Sequence, residues 1–208
     1  MSNQPPPGIP VTIPSQRGDI EAAYHPAPGA RVAVIWVGGT DGGVLGPADA
    51  IYPTLAEDLV PLGIASLRVA FRVLGSPGNL AEAVHDVRAG IAFLRERGVR
   101  RVGLVGHSFG GAVVIEAAAR SREVAAVVTL STQTLGAERV GEVSPCPLLL
   151  VHGQEDQRLP PACSQYLYGQ ARQPRELVLL PGARHSLRQR RDELRALLRR
   201  WLPEKLGR

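Results

Sequence analysis

The segment Gly106-His107-Ser108-Phe109-Gly110 sets a hydroxyl nucleophile between two glycines, and its surroundings give that spacing chemical meaning. An apolar run over 102–105 precedes it, and an apolar stretch over 110–119 follows. A strand running straight into a helix must turn sharply at the serine, and glycines on either side let the two backbones approach without a Cβ clash. The hydroxyl would then stand at the carboxyl edge of a sheet, with a helix N-terminus beneath it favouring developing negative charge. The competing reading is plainer: a serine there can simply cap the helix. Chemistry needs partners, because a hydroxyl is a weak nucleophile at its own pKa. A base must lie within hydrogen-bond reach, and a carboxylate usually orients that base.

Such groups need a scaffold. From residue 31 onward, short apolar runs alternate with helix-patterned stretches, which predicts βαβ units and a mostly parallel sheet. Candidate strands are 32–37, 65–70, 102–105, 125–130, 148–151 and 177–180; their near-continuous apolar composition suits strands covered by helices on both faces. Helices are predicted over 47–62, 80–94, 110–120, 161–172 and 187–201. The second has the clearest period, with Leu80, Val84, Val87, Ile91 and Leu94 on one face. Asn79 is its expected N-cap, with Glu82 completing a capping box. Residues 11–13 and 19–24 are expected to form a hairpin. Residues 1–10, rich in proline, read as a flexible tail before a single α/β domain over 11–208.

The strand, the G-x-S-x-G turn and the apolar helix resemble the α/β-hydrolase family, over nearly everything from Arg31 to Trp201. The resemblance implies a mostly parallel central sheet with helices on both faces, and the chain order Ser, acid, His. His152-Gly153-Gln154-Glu155-Asp156 looks like the family's acid loop, which matches Asp156 to the acid, with the adjacent Glu155 as the alternative carboxylate. Pro181-Gly182-Ala183-Arg184-His185-Ser186 lies where the family carries its histidine, which matches His185 to the base. Asp156 would accept the Nδ1 proton of His185 and fix its tautomer. Phe109 is the expected first oxyanion amide. The second would come from the glycine-rich loop 37–43, which departs from the family's H-G start and leaves Gly39 and Thr40 both as candidates. His107 is expected to pack beside the serine turn and His152 to serve as a structural hydrogen-bonding residue.

Only residues 131–147 separate the strand ending at Leu130 from the next, too few for a large helical lid. The chain is therefore similar to small, lid-poor members such as dienelactone hydrolase and related carboxylesterases. The implied reaction is two-step acyl transfer on a small ester, thioester or lactone, with no cofactor. Arg72 and Gln133 are candidate substrate contacts. A thioesterase or acyltransferase on the same turn and a noncatalytic binding protein are the competing readings, since fold alone does not set function.

Composition trims other classes. Apolar residues make up 44% and charged residues 21%, ordinary globular values that suggest neither disorder nor a membrane class. No apolar run approaches the roughly 20 residues of a membrane span, and the N-terminus has no signal-like pattern, so a cytoplasmic location is expected. Cys146 and Cys163 are then expected as free thiols. The net charge of +5 invites a nucleic-acid reading. Yet many of the arginines crowd 184–200, interleaved with Leu187, Leu194, Leu197, Leu198 and Trp201 near helical spacing, which makes them the solvated face of a packed helix. No His, Cys, Asp and Glu grouping has metal-ligand spacing, and nothing in the sequence speaks to oligomeric state.

Overall fold

The computed structural model describes residues 8–74 and 77–207. Eight strands form one sheet in the order β1-β2-β4-β3-β5-β6-β7-β8. β1 (Ile9–Ile13) and β2 (Ile20–His25) form the antiparallel hairpin, and β2 pairs antiparallel with β4 (Ile64–Val69). From there β4, β3 (Val32–Val37), β5 (Arg101–His107), β6 (Val124–Leu130), β7 (Leu148–Gly153) and β8 (Arg175–Leu180) run parallel. The expected tail ends early, because Ile9 and Pro10 already pair with Tyr24 and Ala23; residues 1–7 lie outside the described residues.

Alternation along the strands divides the core in two. On one face Val32, Val34 and Trp36 meet α1 (Pro47–Leu59) and α5 (Arg191–Leu206) through Ile51, Leu55, Leu194, Leu198 and Trp201. On the other, Ala33, Ile35 and Val37 meet α2 (Leu80–Glu96) and α3 (Phe109–Ala119), while α4 (Ala162–Gln170) adds Leu167 to the same cluster. α3 is buried nearly all round, as its continuous apolar sequence requires. The segment 131–147 contains only a short 3-10 turn, Glu138–Glu142, so no lid domain is inserted there.

Three expectations need correction. Asn79 makes no capping bond; its amide donates to the Leu74 carbonyl. Glu82 is drawn away from the helix start by ion pairs with Arg17 and Arg72. The last helix begins at Arg191 rather than at 187, because Leu187 takes a left-handed φ of 56° and a 3-10 turn over Arg188–Arg190 follows. Its arginines do face outward as expected: Arg195 pairs with Asp58 on α1 while Leu194, Leu198, Trp201 and Leu202 are buried.

Candidate active site

Ser108 stands between the end of β5 and the first residue of α3, with φ 55° and ψ −118°. A non-glycine residue in that region is strained by about 1–3 kcal/mol and persists only where its surroundings over-determine it. Here they do. The Ser108 amide donates to Leu130 O at the end of β6, and the backbones on both sides are jammed together. A Cβ on Gly106 would lie 2.1 Å from Gly110 O, and one on Gly110 would lie 2.2 Å from Gly38 O. Only glycine fits either place, so the G-x-S-x-G spacing is a packing requirement of this turn. Ser108 occupies the helix N-cap position yet makes no side-chain capping bond; its Oγ lies 3.2 Å from His185 Nε2 instead.

Asp156 and His185, the expected acid and base, arrive from loops beyond β7 and β8. Gln154 N and Glu155 N donate to Leu180 O and Ala183 O, stitching the two loops together at the backbone. His185 Nδ1 then lies 2.7 Å from Asp156 Oδ2. Asp156, not the exposed Glu155, makes this contact. Its other oxygen, Oδ1, accepts the amides of Arg158 and Leu159 at 2.9 and 3.0 Å. Burial works to raise the Asp156 pKa, but the Leu159 amide and the His185 ring outweigh it and hold the carboxyl below its ordinary value. An ionised acceptor therefore faces the His185 ring.

His152 holds Asp156 from behind. Its Nε2 lies 2.9 Å from Leu159 O and 3.2 Å from Asp156 Oδ2, and its Nδ1 lies 2.7 Å from Ser164 Oγ. A carbonyl can only accept, so Nε2 carries the proton and Nδ1 accepts from the serine. Burial lowers the His152 pKa, which keeps the ring neutral. His107 reaches across to the base loop, with Nε2 3.1 Å from His185 O.

A cleft of about 590 Å³ opens over Ser108. One wall is the loop after β3, from Gly38 through Pro47; the other is Arg158, His185 and Ser186. Gly39 sits against Ser108, since a Cβ there would lie 3.5 Å from Ser108 Cβ, and the exposed Thr40 follows it on the same wall. Phe109 opens α3, where helix amides have no intrahelical acceptor.

Arg72 and Gln133 are not brought to this cleft. Arg72 Nε donates to Oδ1 of the fully buried Asp86 at 2.6 Å, its own amide binds Oδ2, and Nη2 pairs with Glu82. Its guanidinium is spent on clamping the chain beyond β4 to α2, a reason visible in the sequence only as an aspartate on the apolar side of a helix. Gln133 Nε2 donates to Leu135 O. Sequence reasoning missed the wall residues Asp41, Leu45 and Arg158, which carry no periodicity. It also missed Arg68, buried in β4, whose Nη1 donates to Val44 O behind the wall and whose Nε donates to His25. A charged residue inside the apolar run IASLRV was the available signal. Among the described residues no group of His, Cys, Asp and Glu could hold a metal, and no helix is long and apolar enough to cross a membrane.

A family model described as the dienelactone hydrolase family matches residues 60–200. The chain is 30% identical over 137 residues to the uncharacterized protein YfhR of Escherichia coli (strain K12), covering 53% of this chain and 48% of that protein. It thus spans about half the length of the curated relatives it matches. Dienelactone hydrolase from Anabaena variabilis superposes with a TM-score of 0.82 at 20% identity, covering 98% of this chain and 100% of that one. Est1E from Butyrivibrio proteoclasticus gives 0.78 at 19%, covering 96% and 99%. XC6422 from Xanthomonas campestris, described as an α/β serine hydrolase without lid, gives 0.73 at 24%, covering 93% and 94%. At these identities the structural likeness is one of fold.

Proposed function

This chain belongs to the dienelactone hydrolase family, and from that premise we propose that it is a serine hydrolase that cleaves a carboxylic ester, thioester or lactone through an acyl-enzyme on Ser108. The observation that carries the reading is the continuous relay from Ser108 Oγ to His185 Nε2 at 3.2 Å and from His185 Nδ1 to Asp156 Oδ2 at 2.7 Å. Ser108 Oγ attacks the carbonyl carbon while His185 Nε2 takes its proton. The oxyanion is met by the Phe109 amide and by an amide of the Gly39–Thr40 turn. Collapse breaks the bond to the leaving group, which takes the proton from His185. A water then attacks the acyl-enzyme with His185 again as base, and the second collapse returns the proton to Ser108 and frees the carboxylic acid.

The cleft mixes an exposed leucine, Leu45, with Thr40, Asp41 and Arg158, so it suits a small acyl group that carries polar substituents. A fluorophosphonate probe is expected to label the wild-type protein and not Ser108→Ala, and p-nitrophenyl acetate should be turned over by the first alone. Folded wild-type protein that neither takes the probe nor cleaves any ester, thioester or lactone would overturn the reading.

A further inference from the structure

We propose that His107, the variable residue of the G-x-S-x-G turn, is a positioning residue for the base: its Nε2–H holds the backbone carbonyl of His185 and so keeps the imidazole over Ser108 through turnover. This rests on the reading of Ser108 and His185 given above. The bond joins residues 78 positions apart, the last residue of β5 and the loop after β8, at 3.1 Å. Because the His185 carbonyl can only accept, the His107 proton must sit on Nε2, leaving Nδ1 as a lone pair. That second nitrogen faces the opposite wall, where a Cβ on Gly39 would lie 3.6 Å from it. His107 thus lies between the loop after β3 and the loop carrying His185, and is bonded to the second.

The need for such a tie follows from the relay. The contact between Ser108 and His185 cannot itself fix the base, since it is made and broken as the proton moves. Asp156 holds the ring at Nδ1, and the main chain on either side is held by Leu187 N to Arg184 O and by Ala48 N to Ser186 O, but none of these bonds ties residue 185 to the turn that carries Ser108. The bond from His107 makes that tie from the residue just before Ser108, so nucleophile and base move as one body. The rings of His107 and His185 lie 5.0 Å apart, tilted by 48°. A protonated His107 would repel the imidazolium that His185 becomes, and burial pushes its pKa down to about 4, keeping it uncharged when His185 takes up the proton.

The test compares His107→Leu, which removes the donor, with His107→Gln, whose side-chain NH2 can reach the same carbonyl. His107→Leu should lower kcat on p-nitrophenyl acetate by about 10- to 100-fold with KM nearly unchanged, as expected for a misplaced base. The rate of fluorophosphonate labelling should fall in parallel, and His107→Gln should restore most of both. Independently of activity, ¹⁵N spectra of histidine-labelled protein should show His107 neutral and protonated at Nε2 from pH 5 to 8. Equal losses in the leucine and glutamine variants would reduce His107 to packing and overturn the proposal, as would an Nδ1–H tautomer or a titration near 6.5. An active wild type with an unimpaired leucine variant overturns this inference alone; a wild type inert to probe and esters overturns the hydrolase reading and this one with it.

Discussion

Replacing Asp156 by asparagine is the sharpest perturbation of the relay, because the surrounding bonds dictate how the new amide must sit. Oδ1 of the aspartate accepts the amides of Arg158 and Leu159, so the carboxamide oxygen must take that place; turned round, its NH2 would confront two other donors. The NH2 then faces His185 Nδ1 and His152 Nε2. His185 has to present a lone pair at Nδ1, its proton moves to Nε2, and the nitrogen opposite Ser108 can no longer act as base. The imidazolium formed in turnover also loses its counter-charge. Across 2.7 Å that attraction is worth about 6 kcal/mol at an effective dielectric constant of about 20. A factor of 10⁴ in rate corresponds to about 5.5 kcal/mol, so kcat should fall by about 10⁴-fold with KM within a few-fold of wild type. Initial rates on p-nitrophenyl acetate measure both, with circular dichroism to verify the fold. A folded asparagine variant within tenfold of wild type would refute the assignment of Asp156.

Gly110→Ala should cost about 1–3 kcal/mol by overpacking, because the new Cβ would lie 2.2 Å from Gly38 O; thermal unfolding should drop by about 2–4 °C per kcal/mol, and an unshifted midpoint would count against the jammed turn. Asp86→Ala leaves the Arg72 guanidinium with Glu82 and the Arg17 carbonyl but strips the Arg72 amide of its acceptor, so it should destabilise by about 1–3 kcal/mol in urea unfolding, with KM unchanged because neither residue lines the cleft. His25, His107 and His152 all have pKa values lowered first of all by burial. Unfolded, they titrate at the ordinary 6.5, so the unfolded chain binds protons first. Stability should be full above pH 6.5 and fall as pH drops toward 4. His107→Gln should flatten that fall, and an identical pH slope in the variant would contradict a neutral buried ring.

The parallel sheet was legible because strands covered on both faces must be apolar along their covered length, and the runs 32–37 and 148–151 are. Ser108, Asp156 and His185 could be singled out because each follows a strand end, Ser108 directly after β5 and the other two on the loops after β7 and β8. The capping at Asn79 was misread for a physical reason: local sequence offers a capping box, but Arg17 and Arg72 arrive from distant segments and compete for Glu82. The same kind of long-range partner hid the fate of Arg72, since no spacing rule links residue 72 to a buried Asp86. The wall of the cleft was illegible because loop conformation is set by contacts such as Arg68 to Val44 O, which join residues 24 positions apart.

The relay hangs from β5, β7 and β8, whose ends are aligned by the sheet, whereas the longer wall of the cleft is the single loop from Gly38 through Pro47. Keel and bulwark are separate timbers. The exposed side chains of Thr40, Asp41 and Leu45 can be exchanged while the loop's backbone contacts, Gly38 against Gly43 and the Gly42 amide on Gly39 O, stay in place, so a re-cut rim would face a different ligand with the Ser108–His185–Asp156 geometry undisturbed. One loop can thus vary the cargo while the hull keeps its lines.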